Sequence, residues 1–249
     1  MIQPTGAITL FHPTGEAAGI LHAGTITAFR TALASLCLVS KRSHVHTLTV
    51  FGSGGQAYWH IRLALMLRGA TIRQVNIVNH KVSPHCSGLL DKFLSIPAAT
   101  KAREGWAHCK FGPILTPEDE EYERLLENQV VAADVIFCCT PATQPLFKGT
   151  WLTTHEARLK GRLVVAIGSY KPEMKELPAE IIMQAVKKHH EHSKWIHHRH
   201  AREGGALVVD TIEGALMESG EVIDAGLEPE QLIEFVSPVY LCPARCRKL

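Results

Sequence analysis

The stretch VFGSGGQAYWH, residues 50–60, sets three glycines between a run of β-formers and a helical segment, and the fold is decided at that corner. Gly52, Gly54 and Ala57 form G-x-G-x-x-A. The first glycine permits a tight turn, the second lets backbone come close to a pyrophosphate, and the small third residue lets helix and strand pack closely. Amides at the start of the helix that opens at Gln56 then face the phosphates, helped by the helix dipole. Gly52, Ser53, Gly54, Gly55 and Gln56 therefore read as a dinucleotide cradle. A turn that merely needs glycine is the alternative, and the surrounding strand–helix–strand context favours the cradle.

Working outward, TLTVFGS (47–53) is a strand, QAYWHIRLALMLRG a helix closed by Gly69, and TIRQVNIVN (71–79) a second strand. Upstream, TITAFRTALASLCLVS (25–40) has helical spacing, with Phe29, Leu33, Leu36 and Val39 on one side. Downstream come a helix near 84–95, a strand around 108–115, and the helix PEDEEYERLLENQVVAAD, whose Pro117 and acidic residues suit its positive end. DVIFCCT (134–140) and RLVVAIGS (162–169) are further strands. A long helix from 178 to 200, the strand GALVVD (205–210) and the short helix TIEGALMESG follow. Strands separated by helices imply a parallel sheet with right-handed crossovers, covered on both faces. The expected fold is a doubly wound, Rossmann-type α/β domain.

Composition bounds the remaining possibilities. The chain of 249 residues is 46% hydrophobic and 20% charged, with a net charge of +2, as expected of a globular protein with no electrostatic case for nucleic acid or an anionic membrane. No run reaches the roughly 20 apolar residues of a membrane helix. The opening MIQPTGAITLFHPTGE lacks the basic and apolar regions of a signal peptide, so the expected location is cytoplasmic. Seven cysteines, an odd number lying mostly in apolar stretches, read as reduced, buried thiols, Cys138 and Cys139 among them. Cys242 and Cys246 have no second pair to complete a zinc site. HHEHSKWIHHRH (189–200) places histidines one and two helical turns apart, yet a solvated helix end explains it, and no metal site is expected.

The end of the second strand bears on the choice of cofactor. A carboxylate there would hold the ribose diol of NAD, whereas this sequence has Asn79, His80 and Lys81. A cation with no acid attracts a 2′-phosphate, so NADP(H) is preferred, with NAD(H) possible. The alternative is a solvated turn with Lys81 directed away. Asp210, after GALVVD, reads equally as a residue lining the cleft or as a helix N-cap.

Five segments carry a family resemblance. GTITAFRTALASLCLVSKR resembles the Arg-Thr-Ala helix of the ornithine cyclodeaminase and mu-crystallin family, and TVFGSGGQA its Gly-x-Gly-x-Gln-Ala turn. FCCTPATQPLF is similar to its Thr-Pro loop, IGSYKPEMKEL to its Gly-Ser-x-x-Pro-x-x-x-Glu-Leu segment, and VVDTIEGALMESGEV to its late strand and helix. The resemblance implies hydride transfer between a nicotinamide and the α-carbon of an amino or imino acid. It implies that Arg30 clamps the substrate carboxylate, in keeping with the bidentate geometry of a guanidinium, although an Arg snorkelling from an amphipathic helix would look the same in sequence. It places Thr140 and Pro141, with Ser169, beside the cofactor, a rigid loop being the equal alternative for the prolines.

Two departures shape the reading. Cyclodeaminases carry an aspartate two residues after the first glycine of the segment beginning at Gly168; this chain has Tyr170. A phenol with a pKa of about 10 cannot replace that carboxylate as a base near neutrality, although it could donate a proton or simply pack. Cyclodeamination is therefore disfavoured. The family also carries an additional N-terminal β-rich portion that supplies a catalytic lysine and most of the dimer interface, and MIQPTGAITLFHPTGE begins after it. The expected organisation is a reduced substrate and dimerisation portion at 1–45, a dinucleotide domain at 46–235 and a tail at 236–249, homodimeric if the interface survives. The functions implied are an NADPH-dependent reductase of a small cyclic imino acid, or a non-catalytic NADP(H) binder. An amino-acid dehydrogenase or a cyclodeaminase is a further alternative.

Overall fold

The computed structural model describes residues 6–81, 84–187 and 205–235. The His-rich stretch 189–200, Cys242, Cys246 and the tail 236–249 lie outside them. The chain forms two compact units. The first takes in the described parts of Met1–Tyr122, with Ala133–Cys139 and Leu163–Ile167; the second takes in those of Glu123–Ala132, Thr140–Arg162 and Gly168–Leu249.

The first unit is built on five parallel strands, β3 (Thr47–Phe51), β4 (Gln74–Val78), β5 (Lys110–Leu115), β6 (Val135–Cys138) and β7 (Leu163–Ala166), in the order β5-β4-β3-β6-β7. This is the doubly wound Rossmann arrangement: the order reverses between β3 and β6, the place where folds of this kind bind ligands, beyond the carboxyl ends of the strands. The central strands are buried and mostly apolar, as burial between two helical layers demands, with Thr49 and Asn76 as buried polar side chains paired across β3 and β4. Leu48, Val50, Val75, Ile77, Val135, Ile136 and Phe137 are all fully buried.

Helix α2 (Gly55–Arg68) buries Ala57, His60, Ile61, Ala64 and Leu65, an i, i+3, i+4 stripe. It is clamped from the side by Glu104, whose two oxygens accept from both Arg62 guanidinium nitrogens at 2.7 Å and from Trp106 Nε1 at 2.7 Å. Those donors, Arg62 first, hold the Glu104 carboxyl down to about 2. Helix α1 (Ala23–Val39) buries Ala32, Ser35, Leu36 and Val39. Leu33, expected on the buried side, is 45% exposed, because the buried stripe is centred one position around the helix.

Other expectations need correction. The acidic helix begins at Tyr122 rather than Pro117 (α5, Tyr122–Ala132). Asp119 Oδ2 accepts from Thr116 N at 2.7 Å, and this side-chain turn competes with a helical start. Residues 7–22 form an antiparallel hairpin, β1 (Ala7–Phe11) and β2 (Ala17–His22), which was not anticipated. Cys37 is exposed and Cys139 half-buried, so buried thiols are not the general rule; Cys86 and Cys138 do follow it.

In the second unit, α6 (Thr150–Thr153), α7 (His155–Leu159) and α8 (Ala179–Ala185) precede β8 (Leu207–Val209), α9 (Ile212–Glu218), α10 (Gly220–Asp224) and β9 (Leu232–Glu234). The expected 178–200 helix is described only as α8, and its remainder falls on undescribed residues. Strand β8 does not join the main sheet but pairs in parallel with β9. The cap of α9 is Thr211, whose side chain accepts from Gly214 N, rather than Asp210.

Candidate functional site

Strand β3 runs out at Phe51, and Gly52 turns the chain with φ +101° while its N–H donates to Val78 O at 2.8 Å, tying the corner to the end of β4. Gly54 is the N-cap of α2 and brings no side-chain oxygen to the helix end. Tyr58 N reaches Gly54 O, but the amides of Gly55, Gln56 and Ala57 have no partner among the described residues, leaving a row of free donors at the positive end of a 14-residue helix. A Cβ on Gly54 would meet nothing within 4 Å among the described residues, so the corner is open at that position. Gln56 Oε1 is buried without a partner among the described residues. Buried acceptors are rarely left so, and a ligand hydroxyl would satisfy it. Free amides, an open corner and an orphaned acceptor fit the diphosphate and ribose of a dinucleotide.

At the end of β4, Asn79 is held by its own loop: N accepts no ligand role, donating to Leu115 O at 2.9 Å, and Nδ2 donates to Lys81 O at 2.9 Å and approaches Cys86 Sγ at 2.8 Å. His80 and Lys81 are exposed. Of the three residues assigned to a 2′-phosphate, these two carry the basic groups free to meet it.

Helix α1 lies along the first turns of α2. A Cβ on Gly55 would sit 3.6 Å from Ala28 Cβ, and Phe29 meets Trp59 edge-on at 4.9 Å. Arg30, the next residue, is exposed and makes no hydrogen bond or ion pair among the described residues, so its guanidinium is available to a carboxylate. His60 pins the two helices. Nδ1 lies 2.8 Å from Gln56 O and Nε2 3.0 Å from Ser35 Oγ. A carbonyl only accepts, so the proton sits on Nδ1 and the Ser35 hydroxyl donates to Nε2. Burial lowers the imidazole pKa to about 4, keeping it neutral.

In the second unit, the segments beginning at Thr140 and Gly168 are gathered by a residue that the sequence reading passed over. Glu176 is fully buried; its Oε1 accepts from Thr140 N at 2.7 Å and Thr140 Oγ1 at 2.8 Å, and its Oε2 from Gly168 N at 2.7 Å. Burial raises the Glu176 pKa, and the bonds from Thr140 and Gly168 counter it. Its own N–H donates to Glu221 Oε1 at 2.7 Å. The fit is close: a Cβ on Gly168 would lie 1.7 Å from Thr140 O. The Thr140 hydroxyl is thus turned to Glu176, and the Ser169 hydroxyl donates to Met174 O at 2.6 Å, so both serve their loops. Pro141 is exposed, and Tyr170 is 50% exposed. The only sequence signal for Glu176 was its spacing, eight residues after Gly168 in the Glu-Leu motif.

Strand order and corner together define a Rossmann-type α/β protein. No family model matches the chain. In sequence it is 30% identical over 252 residues to an uncharacterised protein of Saccharomyces cerevisiae, covering 92% of this chain and 62% of that protein. It is 26% identical over 246 residues to ketimine reductase mu-crystallin of Mus musculus, covering 97% and 61%. In fold it resembles a probable ornithine cyclodeaminase from Bordetella pertussis Tohama I, with TM-score 0.64, 22% identity, and 98% and 64% of the two chains covered. It also resembles the Thermococcus litoralis Δ1-pyrroline-2-carboxylate reductase in complex with NADH and L-proline, with TM-score 0.64, 20% identity, and 94% and 60% covered. The relatives that carry the mu-crystallin and cyclodeaminase names are those of the family that the chain's motifs resemble. It spans about three fifths of the length of the curated relatives it matches, 62% and 61% for the two above.

Proposed function

We propose that the chain binds a nicotinamide dinucleotide, NADP(H) in preference to NAD(H), and serves as a reductase of a small cyclic imino acid or related α-imino acid. The observation that carries this is the corner at Gly52–Gln56: three amides and Gln56 Oε1 unpartnered among the described residues at a helix start, with the corner open at Gly54. The amides of Gly55, Gln56 and Ala57 would hold the diphosphate, and Lys81 with His80 would meet a 2′-phosphate. When bound, the nicotinamide supplies a hydride for the carbon of a C=N bond. Arg30 would hold the substrate carboxylate through two parallel charge-assisted hydrogen bonds, fixing that carbon in place. The assignment of Tyr170 as proton donor to the imine nitrogen rests on the motif resemblance. Relatives named ketimine reductase and a fold neighbour holding NADH and L-proline support the substrate class.

A non-catalytic NADP(H) binder is the second reading, and Tyr170 in place of the cyclodeaminase aspartate favours it, since the residue that would manage amine release is gone. Fluorescence titration with NADPH and NADH, then absorbance assays with cyclic ketimines and with pyruvate plus amines, decides. Turnover that drops roughly tenfold to a hundredfold in Arg30→Ala, with cofactor affinity retained, supports the reductase; the range corresponds to about 1.5–3 kcal/mol for a charged hydrogen-bonded contact. Tight NADPH binding with no oxidation in any mixture supports the binder. No binding of either nucleotide removes both. The homodimer expected from the resemblance is tested by sedimentation, which should give twice the chain mass.

A further inference from the structure

Helices α1 and α2 carry the two binding groups of the proposed reductase, Arg30 on one and the free amides of Gly55, Gln56 and Ala57 on the other. Ala28 lies close to Gly55, and Phe29 meets Trp59 edge-on at 4.9 Å, but apolar contacts of this kind are not directional. The bridge through His60 is. Its ring is fully buried and lies against Phe137 of β6, with centroids 4.9 Å apart. Nδ1 donates to Gln56 O at 2.8 Å, and that carbonyl shares a rigid peptide plane with the Ala57 N–H, one of the three free amides. Nε2 lies 3.0 Å from the Ser35 hydroxyl of α1. Ser35 Oγ is also 3.2 Å from Thr31 O. With Nδ1 carrying the ring hydrogen, turning the hydroxyl hydrogen to Thr31 would set two lone pairs against each other at 3.0 Å, so that hydrogen goes to Nε2. Arg30 stands five residues before Ser35 on the same helix, about 7.5 Å along its axis.

We infer that His60 is a positioning residue, holding the helix that carries Arg30 in register with the corner that takes the cofactor diphosphate. The inference rests on the reductase reading and adds what sets the distance between its two binding groups. Arg30 captures the carboxylate by itself. Turnover also needs the carbon beside that carboxylate at a fixed place relative to the cofactor, and a misplacement of about 1 Å costs about a hundredfold in rate. Breaking the bridge therefore leaves both ligands bound and slows the reaction.

Two variants break it at the same bond. Ser35→Ala removes the donor to Nε2, while His60→Asn keeps a nitrogen where Nδ1 meets Gln56 O and puts nothing where Nε2 stood. In each, kcat with a cyclic ketimine such as Δ1-pyrroline-2-carboxylate should fall about tenfold, with KM and the NADPH dissociation constant, read by fluorescence titration, within about twofold of wild type. The double variant should lose no more than either single one. In the ligand-free chain, nitrogen NMR of the imidazoles should show His60 with its hydrogen on Nδ1. Folded variants that keep wild-type kcat, or that lose kcat and NADPH affinity by the same factor, overturn the inference while wild-type turnover preserves the reductase reading. A His60 ring with a bare Nδ1 overturns it as well. A wild-type chain that reduces no ketimine brings down both.

Discussion

At Gly52 the backbone occupies φ +101°, where a Cβ is strained, while at Gly54 a Cβ would enter empty space. The two glycines therefore fail differently. Gly52→Ala should lower stability by about 1–2 kcal/mol, read from the urea midpoint. Gly54→Val should melt as wild type and lose NADPH affinity by tenfold or more, because its side chain would fill the open corner beside the free amides of α2; full affinity in that variant refutes the cradle. Lys81→Ala should narrow the NADPH over NADH preference, since Asn79 Nδ2 is already committed to its own loop. The sequence announced the glycines plainly, because only a few residue types tolerate such a corner. It could not announce that Asn79 is spent inward, since that depends on a cysteine seven positions on and a carbonyl two positions on.

Between elements, the joint of α1 with α2 carries a pH dependence. His60 has a pKa of about 4 in the fold, below its ordinary 6.5, so the fold favours the neutral ring. Its contribution is complete above pH 6.5 and is lost as pH falls from there through 4. Between pH 7.5 and pH 5 it should remove about 2 kcal/mol, a dependence absent from His60→Gln measured by the same urea titrations. On the far side of α2, Glu104→Gln should cost about 1–3 kcal/mol, because Arg62 is left facing an uncharged amide with a donor pointed at it. The β3–α2–β4 unit was legible because each piece had its own local signal: alternating β-formers, a helical stripe and a closing glycine. Strand β8 was legible as a strand but not in its partner, because β-propensity says nothing about which edge a strand joins. Glu176 was illegible for a related reason, its meaning lying in the Thr140 and Gly168 amides it gathers.

For the whole molecule, a ligand that binds only the folded state raises stability by mass action. NADPH at a hundred times its dissociation constant should add about 2.7 kcal/mol, and for a chain of 249 residues that is a rise of about 5–10 °C in melting temperature. NADH at the same concentration should give a smaller rise, and equal shifts would contradict the NADP(H) preference. The β1–β2 ribbon adds a different property. Phe11 is 65% exposed and Ile20 72%, with Ile8, Leu10 and Leu21 also open to solvent. Environment-sensitive dyes such as anilinonaphthalene sulfonate, usually reserved for partly unfolded proteins, should therefore fluoresce on this one in its native form. Purification on hydrophobic resins would hold it longer than its charge and size suggest.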